Sequence, residues 1–111
     1  MKKDKTDFDI RVWKALERIP AGRVTTYKEI ARFIGTRAYR AVGRALGRNP
    51  DAPKIPCHRV VNSDGRIGGY SAEGGIARKI ELLESEGISV SDGKIDAFEK
   101  VLYNFDDWRH H

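Results

Sequence analysis

The stretch Thr26-Tyr27-Lys28-Glu29-Ile30-Ala31-Arg32-Phe33-Ile34-Gly35-Thr36-Arg37-Ala38-Tyr39-Arg40-Ala41-Val42-Gly43-Arg44-Ala45-Leu46 decides the fold. Thr26 followed three residues later by Glu29 is a capping-box pattern. It predicts a helix over Tyr27 to Ile34, with Ile30, Ala31 and Ile34 turned to the core. Gly35 supplies the left-handed stop and Thr36 the next cap, so a second helix is predicted from about Arg37 to Leu46. Two short helices joined by a tight glycine-containing turn form a helix-turn-helix unit.

The second of these helices carries the chemistry. Arg37, Arg40, Arg44 and Arg48 are spaced three, four and four apart, which lines them along one face. Val42, Ala45 and Leu46 lie largely on another. Such a stripe is either a solvated charged face or a phosphate-contact surface. Its place on the second helix of the unit, with no acidic residue among the arginines, favours contact with a nucleic acid. Ala41 and Gly43 are small enough to let the backbone approach a duplex closely.

Outward from this unit, Thr6 and Asp9 cap a predicted first helix with Phe8, Val12, Ala15, Leu16 and Ile19 on one face and Trp13 at its flank; Pro20-Ala21-Gly22 ends it. Arg23-Val24-Thr25-Thr26 is short and β-branched. On the other side, Gly47 to Pro53 is a turn-rich link. It leads to Ile55-Pro56-Cys57-His58-Arg59-Val60-Val61, and then to a hairpin signal at Asn62-Ser63-Asp64-Gly65. Gly68-Gly69 before Tyr70-Ser71 suggests either a loop able to approach a flat ligand or an ordinary flexible wing. A fourth helix is predicted over Glu73 to Glu86, with Ile76, Ile80 and Leu83 facing the core and Gly87 as its stop. A short strand Ile88-Ser89-Val90, a turn at Asp92-Gly93 and a last helix capped by Asp96 and Glu99 complete the chain. That helix puts Phe98, Leu102 and Phe105 on one face, with Trp108 packing beside it. The sum is an α+β, winged-helix-like domain with a helix-turn-helix and a small β-hairpin. It is expected over residues 8–105, between a charged tail at 1–7 and a C-terminal tail at 106–111.

Cys57 is the chain's single cysteine, and a histidine follows it at once. A thiol is a weak nucleophile at its free pKa and needs a base or a lowered pKa. Neighbours in an extended chain point to opposite faces. Either His58 turns inward through a kinked backbone, or it reaches Cys57 through a water. Pro56 restricts the backbone toward a rigid, non-helical presentation. The alternative is a buried structural cysteine at the start of a strand.

At 111 residues, 40% of them hydrophobic, the chain is sized for one domain with a small core. Twenty-one basic against 16 acidic residues leave a net charge of +5, which fits a nucleic-acid partner. One cysteine excludes an internal disulfide, and no Cys/His cluster has zinc-site spacing, so no metal or other cofactor is expected. No signal peptide or membrane-spanning run is evident, so a soluble, cytoplasmic monomer is expected.

Pro56-Cys57-His58-Arg59-Val60-Val61 resembles the active-site motif of the O6-alkylguanine-DNA alkyltransferases. The resemblance runs from about Phe8 to Gly87. Gly22-Arg23-Val24-Thr25-Thr26-Tyr27, Arg40-Ala41-Val42-Gly43, Asn49-Pro50, Gly69-Tyr70-Ser71 and Leu82 to Gly87 each match a segment of that family. It implies a double-stranded DNA partner containing O6-alkylguanine and a self-inactivating methyltransferase activity. Cys57 would accept the alkyl group, His58 would draw its proton through a water, and Glu86 would orient His58. Tyr27 would sit by the flipped guanine, Asn49 would hold the hinge, and Tyr70 and Ser71 would line the pocket. Arg40 would enter the duplex as a finger, with Ala41, Gly43, Arg37 and Arg44 in the DNA-contacting helix, docked in the minor groove. The chain's size and its tail also resemble the alkyltransferase-like proteins, which carry tryptophan at the cysteine position. They bind the lesion without transfer and flag it to nucleotide excision repair proteins.

Overall fold

A computed structural model of the chain describes residues 6–105. Helix α1, Asp7–Leu16, starts at a capping box: Thr6 Oγ1 accepts from Asp9 N at 3.1 Å while the Asp9 carboxylate accepts from Thr6 N. It ends before Pro20, through a turn over residues 17–19. Strand β1, Thr25–Thr26, runs directly into helix α2, Tyr27–Ile34, whose N-cap is Thr26. Gly35 closes α2 at φ +86°, and Thr36 N–H donates to Ala31 O at 2.9 Å. Helix α3, Tyr39–Gly47, then packs across α1 and α2, with Trp13 Nε1 donating to Ala45 O at 2.8 Å.

After a link and a short 3₁₀ turn at Cys57–Arg59, strand β2, Val60–Val61, pairs in parallel with β1: Thr25 opposes Val60 and Thr26 opposes Val61. Helix α4, Gly75–Ser85, is followed by the antiparallel hairpin of β3, Val90–Ser91, and β4, Lys94–Ile95, and by a single turn of helix α5, Phe98–Val101. No helix among the described residues is long and apolar enough to cross a membrane.

Two apolar clusters result. One gathers Val12, Leu16, Ile30, Ala31, Val42, Ala45, Cys57, Val60 and Phe105; the other gathers Val24, Val61, Ile67, Leu83, Ile88 and Ile95. Successive residues of β2 point to opposite faces, so Val60 enters the first cluster and Val61 the second. Each fully buried aliphatic side chain contributes about 1.5–3 kcal/mol. The segment bearing the cysteine is therefore fixed from both sides.

Several expectations need correction. Helix α3 begins two residues later than predicted, because Thr36 accepts from Ala38 N at 3.1 Å and stiffens the turn instead of capping the helix; Ala38 is the N-cap and makes no side-chain cap bond. Arg37 therefore lies before the helix. Arg48 also leaves the arginine stripe, since its guanidinium grips the buried Asp9 carboxylate at 2.7 and 2.9 Å. This hydrogen-bonded arginine holds the Asp9 carboxyl below its ordinary pKa. Helix α4 starts at Gly75, not Glu73, and Ile76 is half exposed while Lys79 is fully buried. The turn over 62–65 forms, with Asn62 N–H donating to Arg66 O at 2.8 Å, but its returning arm bridges Lys94. Helix α5 lacks its predicted caps: Asp96 accepts from Ser91 Oγ at 2.8 Å, and Leu102 bridges Val24 beyond the helix end. Phe105 instead stacks on Phe33, with ring centroids 4.5 Å apart. Trp108 lies outside the described residues.

Candidate active site

Cys57 opens the 3₁₀ turn between the two apolar clusters, where Pro56 sets a non-helical entry. Its side chain is mostly covered, at 8% exposure, yet it lines a cavity of about 240 Å³ together with Tyr27, Gly43, Leu46, Gly69, Tyr70 and Ser71. A structural cysteine sealed at the start of a strand does not describe this position, which is mostly covered yet borders open space. Tyr27 comes from the first turn of α2, Gly43 and Leu46 from α3, and the remaining residues from the loop before α4. Gly68 lets that loop close in: at φ +70° it lies where an added Cβ would stand 3.2 Å from Asn62 Oδ1 and 3.6 Å from the Tyr27 hydroxyl.

The backbone turns at this point, and the 3₁₀ turn carries both Cys57 and His58 inward. His58 is 1% exposed. Its Nε2 is 2.9 Å from Glu86 Oε2, the arrangement of an imidazole N–H donating to a carboxylate. Among the described residues, His58 Nδ1 is a buried side-chain nitrogen without a hydrogen-bond partner. This nitrogen is the one on the ring that Glu86 does not engage. Glu86 also accepts from Arg59, Nε to Oε1 at 3.0 Å and Nη2 to Oε2 at 2.7 Å, and Arg59 Nη1 donates to Ile19 O at 2.7 Å.

Asn49 braces the approach to the cysteine. Its Nδ2 donates to Ile55 O at 2.7 Å and its Oδ1 accepts from Asp51 N at 2.9 Å. Lys79 completes the surroundings. Its ammonium is wholly buried and donates to Val60 O at 2.8 Å, to Gly69 O at 3.0 Å and to Ile67 O. Three ammonium protons meet three carbonyls, which ties β2 to the loop that forms the cavity wall.

Electrostatics follow from burial and these contacts. Burial pushes the Cys57 thiol up, while a hydrogen bond from Asn49 and the charge of Lys79 oppose that rise. Burial likewise pushes the His58 imidazole below its ordinary value, against the pull of Glu86. The Glu86 carboxyl stays below the usual carboxylate range: burial works against it, but the bonds from Arg59 and His58 prevail. Burial raises the Tyr27 phenol, and the nearby Cys57 raises it further. At neutral pH the cavity thus holds a thiol and a protonated phenol, and the imidazole buried behind the cysteine turn is neutral.

The structure brings Cys57, Tyr27, Tyr70, Ser71 and Gly43 to one cavity and places His58, Glu86 and Asn49 around its thiol-bearing turn. Arg40 and Arg44 are exposed on α3, one helical turn apart, and Ala41 is half buried. None of these three lines the cavity. Arg37 borders a separate basic hollow of about 410 Å³ with Lys28, Arg32, Gly35, Thr36 and Tyr39. Sequence reasoning missed Lys79 and gave Arg59 no role. The available signal for Lys79 was its spacing of four and seven from Leu83 and Glu86, which puts a lysine on the inward face of α4.

Residues 7–88 match the family model described as 6-O-methylguanine DNA methyltransferase, DNA binding domain. A methylated-DNA–protein-cysteine methyltransferase from Methanosarcina barkeri is 57% identical over 82 residues, which are 73% of this chain and 51% of that protein. The crystal structure of Mycobacterium tuberculosis OGT in complex with DNA superposes with a TM-score of 0.70 at 54% identity, covering 74% of this chain and 50% of that one. S. pombe Atl1, in complex with damaged DNA containing O6-carboxymethylguanine, superposes with a TM-score of 0.77 at 32% identity. That match covers 94% of this chain and 99% of Atl1. The chain spans about half the length of the curated methyltransferases it matches.

Proposed function

Because the chain belongs to the 6-O-methylguanine DNA methyltransferase family, we propose that it repairs DNA by moving an alkyl group from guanine O6 onto Cys57. The observation that carries this reading is a cysteine lining a cavity of about 240 Å³, followed in the chain by a buried His58 bonded to Glu86. A guanine O6 lies inside the base stack, beyond the reach of a buried thiol. The base must therefore leave the helix, at a cost of a few kcal/mol that is smaller for a poorly paired lesion. Arg37 and Arg44 hold phosphates while that cost is met. Arg40 enters from the minor groove and fills the gap left by the everted base. Ala41 and Gly43 keep the helix backbone close to the duplex, and Tyr70 and Ser71 wall the base in.

The chemistry is an in-line displacement. The Cys57 proton passes through a water to His58 Nδ1, the nitrogen that Glu86 leaves free. The thiolate attacks the alkyl carbon, a C–S bond forms, the C–O6 bond breaks, and its electron pair stays on O6. Tyr27, a phenol still protonated at neutral pH, donates toward the guanine anion as it leaves. Asn49 keeps the cysteine turn in register with α3. The product thioether has no route back to the thiol, so each molecule turns over once.

The end-to-end superposition on Atl1 favours a second reading, a lesion-binding module that marks O6-alkylguanine without transfer. One experiment separates the two. The protein is incubated with an oligonucleotide bearing O6-methylguanine labelled in the methyl group, and label is counted on protein and DNA. Label moving to protein, at no more than one per chain and lost in Cys57→Ala, supports transfer. Tight lesion binding with all label left on DNA supports the sensor.

A further inference from the structure

The proton acceptor proposed for the transfer, His58, does not stand on Glu86 alone. Arg59 follows it in the chain and clasps the same carboxylate side-on, Nε to Oε1 at 3.0 Å and Nη2 to Oε2 at 2.7 Å. Its remaining terminal nitrogen, Nη1, donates to Ile19 O at 2.7 Å, beyond the end of α1. The guanidinium is mostly covered, with 16% of its side chain exposed, and the carboxylate is 14% exposed. A fork in this geometry fixes both the position and the plane of its partner.

We propose that Arg59 is a positioning residue for the transfer, holding both oxygens of Glu86 so that one fixed oxygen orients His58 as a neutral base. The argument is electrostatic as well as geometric. A bare carboxylate 2.9 Å from a buried imidazole favours the imidazolium, which has no free nitrogen to take the thiol proton. With the guanidinium bound to it, the carboxylate accepts the Nε2 hydrogen while much of its charge is already balanced. The charged groups around His58 are Glu86, which draws a proton onto it, and Arg59 and Lys79, which oppose that. Arg59 is the one that touches Glu86. The inference rests on the transfer reading above, and its test includes a measurement that does not depend on transfer.

Single-turnover transfer from an O6-methylguanine oligonucleotide is followed against pH for the wild type, Arg59→Met and Arg59→Lys. Titration of His58 is followed in parallel by NMR on the DNA-free proteins, with its resonances assigned by their loss in His58→Gln. For Arg59→Met, the acid limb of the rate and the His58 titration both move up by about one pH unit or more. For Arg59→Lys, which keeps the charge and loses the fork, the limb stays in place and the plateau rate falls. Unchanged titration and acid limb in folded Arg59→Met, or an unchanged plateau in Arg59→Lys, overturns the proposal. If the wild type transfers nothing, the transfer reading fails, and the His58 titration alone still decides what Arg59 does.

Discussion

Lys79→Met is the perturbation whose size the structure sets most directly. Methionine keeps the unbranched stem within the core and removes the ammonium. The buried carbonyls of Val60 and Ile67 and the carbonyl of exposed Gly69 lose a donor. Each bond to a charged donor contributes about 1.5–3 kcal/mol. Against that gain stands the cost of burying the ammonium, which pushes its pKa from 10.5 down to about 8. At neutral pH the two effects oppose each other, and the carbonyl bonds leave the wild type the more stable. The pH dependence is sharper. The unfolded chain keeps the lysine proton up to the ordinary lysine value, whereas the folded chain sheds it near 8. Between those values the unfolded state binds more protons, so wild-type stability rises with pH. At about 1.4 kcal/mol per pH unit, the gap between wild type and variant widens by about 2 kcal/mol from pH 7 to pH 9.5. Cys57, whose ionisation Lys79 favours, acts in the same direction, so a Cys57→Ala background isolates the lysine. The assay is urea unfolding followed by tryptophan fluorescence at both pH values. A gap that stays constant or narrows refutes the account in which burial lowers the proton affinity of Lys79.

Two further outcomes follow from the cavity and the exposed helix. Gly43 lines the cavity and has open space where a Cβ would stand, and its position inside α3 penalises glycine by about 1 kcal/mol relative to alanine. Gly43→Leu is expected to unfold at the same or a higher temperature in calorimetry while losing lesion binding in a gel-shift assay. A loss of both indicates that the glycine serves packing. Arg40→Ala is expected to weaken binding to an O6-methylguanine duplex about tenfold or more while changing affinity for undamaged duplex far less, as measured by fluorescence anisotropy. Equal losses on both duplexes would remove the finger role.

Much of the fold was legible because its signals are local. Thr6 with Asp9, Thr26 with Glu29, and Gly35 mark helix ends through bonds that span only a few residues. The cysteine turn was legible from Pro56-Cys57-His58 and its family resemblance. The errors came where a distant partner decided the outcome. Arg48 belongs by spacing to the arginine stripe, but the buried Asp9 lies 39 residues away and takes it. Lys79 belongs by residue type to the surface, but carbonyls on β2 and the following loop take its ammonium into the core. Phe105 was assigned to a terminal helix and instead stacks on Phe33 of α2. Periodicity records which side chains share a face. It does not record which backbone oxygen or carboxylate waits opposite.

The central claim concerns the sulfur of Cys57. Peptide mass spectrometry after incubation with excess O6-methylguanine oligonucleotide tests it most directly. The account predicts one methyl group per chain, carried on the peptide containing Cys57 as a thioether. A lesion-bound protein whose Cys57 peptide keeps its unmodified mass would contradict it.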